Sequence, residues 1–172
     1  MAQYCSNAIQ LNFNPDIPSG TKVSLNPTPM PLMHHGFNLP VEISTASVYR
    51  KEPNPEPLAT ITIIAHFDTG ASKTSIDVNL ASHLKIIPVG MTPIATAGGV
   101  FDYPNYTIDL NFPNTNLMPF KNLEVGSCNL RFDIPNNDLK NFSNFGLLIG
   151  RDIMARWNIV WNGPTSTILI SD

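Results

Sequence analysis

The chain has 172 residues and a formal net charge of −3, and a chain of this length buries roughly 70% of its unfolded surface, so one domain with a substantial core is expected. The slightly acidic charge and the lack of a basic stripe argue against nucleic acid as a partner. No run approaches the roughly 20 apolar residues of a membrane span, so no span is expected.

Prolines dominate the beginning of the chain. Each one fixes the backbone angle φ and removes a hydrogen-bond donor, so a long helix cannot form there. We expect an extended Pro/Asn-rich N-terminal arm over residues 1–37, followed by one domain over residues 38–172. The prolines of the arm are Pro15, Pro18, Pro27, Pro29 and Pro31.

Two strands are expected after the arm. Leu39, Val41 and Ile43 alternate with other residues over residues 38–49, which is the period of a half-buried strand. A Pro-rich linker ends this segment, because proline removes the donors that a strand needs. The apolar run over residues 61–67 then predicts the second strand.

The middle of the chain carries one helix pattern and two strand patterns. Ile76, Leu80 and Leu84 fall on one helical face, and Asp77 has the side chain of an N-cap, so one short helix is expected. Apolar residues at every second position predict two further strands. These strands cover residues 106–112 and 130–134.

The last part of the chain predicts a closing hairpin. Residues 157–161 and 167–170 are strand-like, and Asn162-Gly163 between them readily supplies the positive φ angles of a tight turn. Strands with turn signals about every ten residues indicate an all-β fold, closed and barrel-like, with one or two short helices.

Two segments of the sequence place polar groups directly after apolar strands. The run over residues 61–67 leads into the turn sequence Asp68-Thr69-Gly70-Ala71-Ser72, which is how an aspartic peptidase presents its catalytic acid. Far downstream, the apolar residues 147–149 lead into Gly150-Arg151-Asp152. An Asp-[Thr/Ser]-Gly-[Ala/Ser] string arises by accident in roughly one chain in a hundred of this length.

In this order the motifs resemble those of the retropepsin-like aspartic proteases, the single-lobed relatives of pepsin found in bacteria and retroelements. The resemblance covers about residues 58–170 and implies the acid-protease fold, with Asp68 as the catalytic residue. A departure from the retroviral enzymes is Ser72-Lys73, where those enzymes usually carry acidic residues. The implied supporting residues are Thr69, Gly70, Ala71, Gly150, Arg151 and Asp152, and the implied substrate-binding flap is Ala97-Gly98-Gly99.

The chemistry of this family needs two carboxylates, and the chain has one Asp-Thr-Gly. A homodimer is therefore part of the functional hypothesis, with each copy supplying one Asp68. Two adjacent carboxylates share one proton, because each disfavours the other's negative charge. A water between them would attack the peptide bond of an extended polypeptide, with no cofactor and no metal.

Two alternatives stay open. His66 and Asp68 lie two apart on a strand and so share a face, and with His34, His35 or His83 they could ligate zinc. A histidine on a strand is more often satisfied by hydrogen bonds than by a metal. The other alternative keeps the fold as a catalytically silent homodimeric module for peptide binding or assembly, since a fold does not fix a function.

The cysteines and the charge content bear on the cellular setting. Cys5 and Cys128 are too few and too far apart for a disulfide framework or a metal knuckle, so two unpaired thiols are expected. Charged residues make up 13% of the chain, against an average of about 25%. This composition favours an exported or periplasmic protein whose targeting segment lies outside this sequence.

Overall fold

The structure is a computed structural model, and it describes residues 9–12, 36–49, 60–96, 99–163 and 167–172. None of the helices in this part of the chain has the length and hydropathy needed to cross a membrane. The strands are β1 (Ile9–Asn12), β2 (Asn38–Thr45), β3 (Thr60–Phe67), β4 (Ser75–Asp77), β5 (Gly90–Thr96), β6 (Gly99–Asn111), β7 (Phe120–Cys128), β8 (Phe145–Ile149), β9 (Asn158–Asn162) and β10 (Thr167–Ser171). The helices are α1 (Val78–His83), α2 (Arg151–Met154) and a 3-10 turn (Ser47–Tyr49).

Six strands close into a barrel. The larger sheet has the order β2-β3-β8-β4-β7-β6-β5, and β2 also pairs with β6, which joins the two sides of the sheet. Strand β5 stands outside the closed barrel and forms a hairpin with β6 alone. The expected all-β closed barrel with two short helices is confirmed.

One parallel pair in the barrel positions the motifs. Strand β3 runs parallel to β8, with Phe67 opposite Ile149. The carboxyl ends of parallel strands lie at the same edge of a sheet. The residues that follow β3, starting with Asp68, therefore lie beside those that follow β8, starting with Gly150.

The core fills the barrel with the apolar residues that alternate along its strands. Leu39, Val41 and Ile43 are all buried, as their alternation predicts. Beside the barrel, an aromatic cluster forms around Trp157, which follows α2. Its ring centroid lies 6.1 Å from that of Phe67 and 5.2 Å from that of Phe112. The last residue of β3 is thereby held in place directly before Asp68.

The predicted closing hairpin is confirmed, but its turn is not an Asn-Gly turn. Strand β9 pairs with β10, with Asn162 opposite Thr167, so four residues separate the strands and Asn162 lies within β9. Neither Asn162 nor Gly163 has a positive φ angle. Strand β1 pairs with the other side of β10, which gives a three-stranded sheet. The rest of the N-terminal arm up to residue 35 and the Pro-rich linker lie outside the described residues.

Two predicted strands need correction. The segment 130–134 is a loop, although its alternation arises from real burial of Phe132. Its backbone is hydrogen-bonded by a side chain and not by a neighbouring strand, since the Leu130 N–H donates to Asp77 Oδ2 at 2.8 Å. The predicted strand over 38–49 ends at Thr45, and the 3-10 turn follows.

The predicted helix is confirmed in a shorter form. It covers Val78–His83, while Ile76 belongs to β4. Asp77 is its N-cap, as expected, because its Oδ1 accepts from the N–H of Asn79 at 2.8 Å and from that of Leu80 at 3.2 Å. Asp77 thus caps the helix and also binds the 130–134 loop.

Asp109 is a buried carboxylate on β6 that accepts several hydrogen bonds. Burial alone would raise the pKa of Asp109, but hydrogen bonds from the Asn122 and Ser47 backbone and from Lys121 outweigh burial and lower it. The Asn122 N–H lies 2.8 Å from Oδ1, and Lys121 Nζ lies 3.1 Å from Oδ2.

We predict that Asp109→Asn lowers the free energy of unfolding by about 1.5–3 kcal/mol at neutral pH, the usual worth of hydrogen bonds to a charged group. Because the pKa is lowered in the folded state, the stabilisation is complete above the unfolded pKa of about 3.9. It is lost as the pH falls through the folded value. Denaturant unfolding from pH 7 to pH 2 should show the two proteins converging in acid. A difference in the free energy of unfolding that stays constant from pH 7 to pH 2 would contradict the lowered pKa of Asp109.

Candidate active site

Asp68 lies in a tight turn directly after β3. Its backbone N–H donates to the Ile149 carbonyl at 3.1 Å, and its own carbonyl accepts from Ala71 at 3.1 Å. Its Oδ1 accepts from the Gly70 N–H at 2.7 Å, which fixes one carboxylate oxygen. A Cβ at position 70 would lie 3.0 Å from that same oxygen, so glycine eases this close approach. Asp68 is partly exposed, and Thr69 and Gly70 are exposed.

The segment after β8 forms a second turn against the first. Gly150 is the N-cap of α2, and the Arg151 N–H donates to the Ala71 carbonyl at 3.0 Å. The Arg151 side chain is exposed. The structure therefore brings together Asp68, Ala71, Gly150 and Arg151, the residues that the sequence placed in two distant motifs.

Asp152 links the two turns through a residue that the sequence analysis did not include in the site. Both of its carboxylate oxygens accept from the Thr74 N–H, each 3.0 Å from the nitrogen, and Oδ1 also accepts from the Thr74 hydroxyl at 2.8 Å. The Thr74 hydroxyl oxygen in turn accepts from the Gly150 N–H at 3.0 Å. Thr74 is fully buried. The signal for it in the sequence is its place as the Thr or Ser position of the motif that begins at Asp68, a position to which no linking role was assigned.

The two turns also approach each other too closely for a side chain at position 150. A Cβ there would lie 2.5 Å from the Lys73 carbonyl carbon and 2.8 Å from the Thr74 nitrogen. Both contacts are with backbone atoms, which cannot rotate away.

We predict that Gly150→Ala lowers the free energy of unfolding by about 3 kcal/mol, the upper end of the usual cost of overpacking. Gly163→Ala is the matched control, because among the described residues, chain neighbours aside, the nearest atom to a Cβ at position 163 is Trp161 Nε1 at 3.5 Å, an ordinary contact. It should change stability by less than about 0.5 kcal/mol. The free energy of unfolding is measured in urea. Equal losses in the two variants would show that the backbone shifts to accommodate the new Cβ at position 150, contrary to this prediction.

We predict that Thr74→Val, which keeps the shape of the side chain, lowers stability by about 1–3 kcal/mol, because the Gly150 N–H then loses its acceptor and stays buried. Thr107→Val on β6 is the control, since none of the hydrogen bonds described for this structure involves the Thr107 hydroxyl. Thermal unfolding of both variants measures the difference. A Thr74→Val protein as stable as Thr107→Val would contradict the linking role.

His66 lies two residues before Asp68, where the zinc alternative placed a ligand. Its Nδ1 is 2.9 Å from Asn38 Oδ1, and its ring stacks on Phe145 with centroids 4.9 Å apart. Burial lowers the pKa of His66, while the Asp68 charge partly opposes the shift. Among the described residues no group of three or more His, Cys, Asp or Glu could hold a metal ion, and His34 and His35 lie outside that part of the chain.

A cleft of about 550 Å³ opens beside Asp68. Its apolar lining comes from Ala71, Pro93, Ile94, Ala95 and Leu148, and its polar lining includes Lys73, Ser75, Thr92, Asn105 and Cys128. Lys73 forms an ion pair with Glu124, with Nζ and Oε1 2.9 Å apart. Burial raises the pKa of the Cys128 thiol to about 11, and the Asp77 carboxylate adds to the effect.

The β5–β6 hairpin forms one side of this cleft. Thr96 pairs with Gly99, and Gly99 has a φ of 127°, a conformation that favours glycine. Of the predicted flap residues, Gly99 begins β6, while Ala97 and Gly98 lie outside the described residues.

Of the two cysteines, Cys128 is a free thiol, and Cys5 lies outside the described residues.

Comparisons with known proteins give matches among solved structures. A scan against protein-family models gives no match, and no curated protein sequence matches. Among solved structures, the chain is similar to a retropepsin-like aspartic protease from Rickettsia conorii, with 13% sequence identity and a TM-score of 0.45. The match covers 99% of this chain and 96% of that chain.

Proposed function

We propose that this protein is an aspartic endopeptidase that acts as a homodimer on an extended polypeptide. The observation that carries the proposal is the placement of Asp68: one carboxylate oxygen is fixed by the Gly70 N–H at 2.7 Å, and the residue borders a cleft of about 550 Å³. A partly exposed carboxylate in a rigid turn beside a cleft is suited to proton transfer with a bound substrate.

The second carboxylate of the reaction comes from a second copy of the chain. Among the described residues that line the cleft, Asp68 is the one carboxylic acid. The exposed Thr69 and Gly70 beside it leave room for the same turn of another copy to approach. In the dimer the two Asp68 carboxylates share one proton, because each opposes the ionisation of the other.

Hydrolysis then proceeds without a covalent intermediate. The ionised Asp68 takes a proton from a water held between the two carboxylates, and the water oxygen bonds to the peptide carbonyl carbon. The protonated Asp68 of the second copy donates its proton to the carbonyl oxygen. Collapse of the tetrahedral intermediate breaks the C–N bond. The Asp68 that took the water proton, now a carboxylic acid, donates that proton to the leaving amine, and a hydroxyl of the intermediate returns its proton to the other Asp68.

The other site residues have supporting roles in this proposal. Gly70 fixes the Asp68 carboxylate, Thr69 bonds across the dimer, and the links from Ala71, Gly150 and Asp152 hold the turns in register. Arg151 contributes its backbone N–H, since its guanidinium cannot act as an acid or base at ordinary pH. The flap residues Ala97, Gly98 and Gly99 close over the peptide in this proposal and exclude water.

We predict that Asp68→Asn lowers kcat/KM for peptide cleavage by at least about a hundredfold, the lower end of what a general acid or base contributes. The assay is cleavage of a peptide library from pH 3 to pH 8. Asp102→Asn is the matched control, because Asp102 is exposed on β6 and does not line the cleft. Equal turnover by wild type and Asp68→Asn would eliminate this mechanism.

Sedimentation measures the dimer fraction, so the dimer requirement can be tested separately from the chemistry. The rate per chain should rise with protein concentration in step with the dimer fraction, because each monomer carries half of the site. A fully active monomer would contradict the shared site. A wild type that binds peptides as a dimer but cleaves none would favour the silent peptide-binding module instead.

A further inference from the structure

Asn105 carries an amide oxygen that the fold leaves unpaired. The residue is 7% exposed and lines the cleft beside Asp68. Its Nδ2 donates to the Thr92 hydroxyl oxygen at 2.7 Å, while its Oδ1 has no hydrogen-bond partner. An unpaired buried polar group costs about 1–3 kcal/mol, so an unpaired oxygen of this kind needs an explanation.

The position of Asn105 in the hairpin explains how it reaches the cleft. Phe101, Tyr103 and Asn105 alternate along β6 and so share one face of the strand. Two of them pair with cleft-lining residues of β5: Phe101 with Ile94, and Tyr103 with Thr92. The Asn105 side chain crosses diagonally to Thr92 on that same face.

The cleft next to Asn105 is apolar along its sides. Ile94 and Leu148 line it together with the small side chain of Ala71. Gly126 keeps this space open, since a Cβ there would lie 3.1 Å from Ser75 Oγ and 3.8 Å from Ile94 Cδ1. A substrate side chain with an apolar stem and a hydrogen-bonding end fits these surroundings.

We infer that this cleft is a subsite for a carboxamide side chain of the substrate, glutamine or asparagine, whose NH₂ group donates to Asn105 Oδ1. This oxygen is buried in the free protein, and the substrate reaches it when the side chains around it change rotamer on binding. The inference rests on the proposed function and adds a substrate class to it. Asn105 is here a specificity-determining residue that contacts the substrate but takes no part in the proton transfers.

The charges around the cleft favour a neutral side chain over an acidic or basic one. Lys73 is already paired with Glu124 at 2.9 Å, so it offers no uncompensated positive charge to a substrate carboxylate. Asn105 is neutral and offers no countercharge to a lysine or an arginine, while Asp68, the one carboxylic acid among the described residues of the cleft, is engaged in the proposed proton transfers. A charge without a partner costs far more to bury than an amide that finds its hydrogen bond.

Matched peptides test the inference. Each pair carries glutamine or methionine, which have similar lengths, at one position near the cleavage point. Wild type should cleave the glutamine peptide at one such position with a kcat/KM about tenfold higher, a factor that one hydrogen bond supplies. Asn105→Leu should abolish this preference. Asn105→Asp, which places a carboxylate at the same position, should shift it towards lysine.

Asn111→Leu is the control, because Asn111 lies on the same strand but pairs with Glu42 and does not line the cleft. It should keep the glutamine preference, and thermal unfolding of each variant shows that the fold is retained. A wild type that cleaves peptides with the same preference as Asn105→Leu would overturn the inference and leave the proposed function intact.

A wild type that cleaves nothing would instead count against the proposed function. Binding of the same peptides, measured by fluorescence anisotropy, then decides the inference alone. A lower Kd for the glutamine peptide than for the methionine peptide, with the difference lost in Asn105→Leu, would support the inference. Equal Kd values for the two peptides in wild type would overturn it.

Discussion

The site depends on the connection between the ends of two parallel strands, β3 and β8. Their pairing sets Asp68 and Gly150 side by side, and the Asp152 carboxylate then binds the Thr74 backbone at 3.0 Å and its hydroxyl at 2.8 Å. All of these groups are buried or partly buried, where hydrogen bonds to a charged acceptor are strongest. Asp68 is thus positioned by residues that do not themselves face the cleft.

This connection leaves the two sides of the cleft unequal. The Asp68 side is fixed by the barrel, and Gly150 allows its backbone to pack against Lys73 and Thr74 without a side chain between them. The opposite side is the β5–β6 hairpin, in which β5 pairs with β6 alone and carries exposed apolar residues such as Met91. In the proposed function, this hairpin with fewer pairing strands is the side that closes over a peptide.

The sequence predicted what depends on local pattern and missed what depends on tertiary contacts. Alternation identified β2 through Leu39, Val41 and Ile43, and the capping side chain of Asp77 located α1. The same alternation was wrong for 130–134, because burial of Phe132 gives a period of two whether or not a neighbouring strand supplies a ladder. Thr74 could not be identified as a link between the turns, since its partners lie 76 and 78 positions away.

Gly126 contributes to the space of the cleft because it has no side chain. At position 126 a methyl group would already reach Ser75 Oγ at 3.1 Å, so the glycine there keeps space open between β4 and the hairpin. That space ends at Asn105, whose second hydrogen bond the fold does not supply. Buried polar groups normally find a partner. The simplest physical account of an unpaired oxygen in a residue at the wall of a cleft is that a ligand supplies the missing contact.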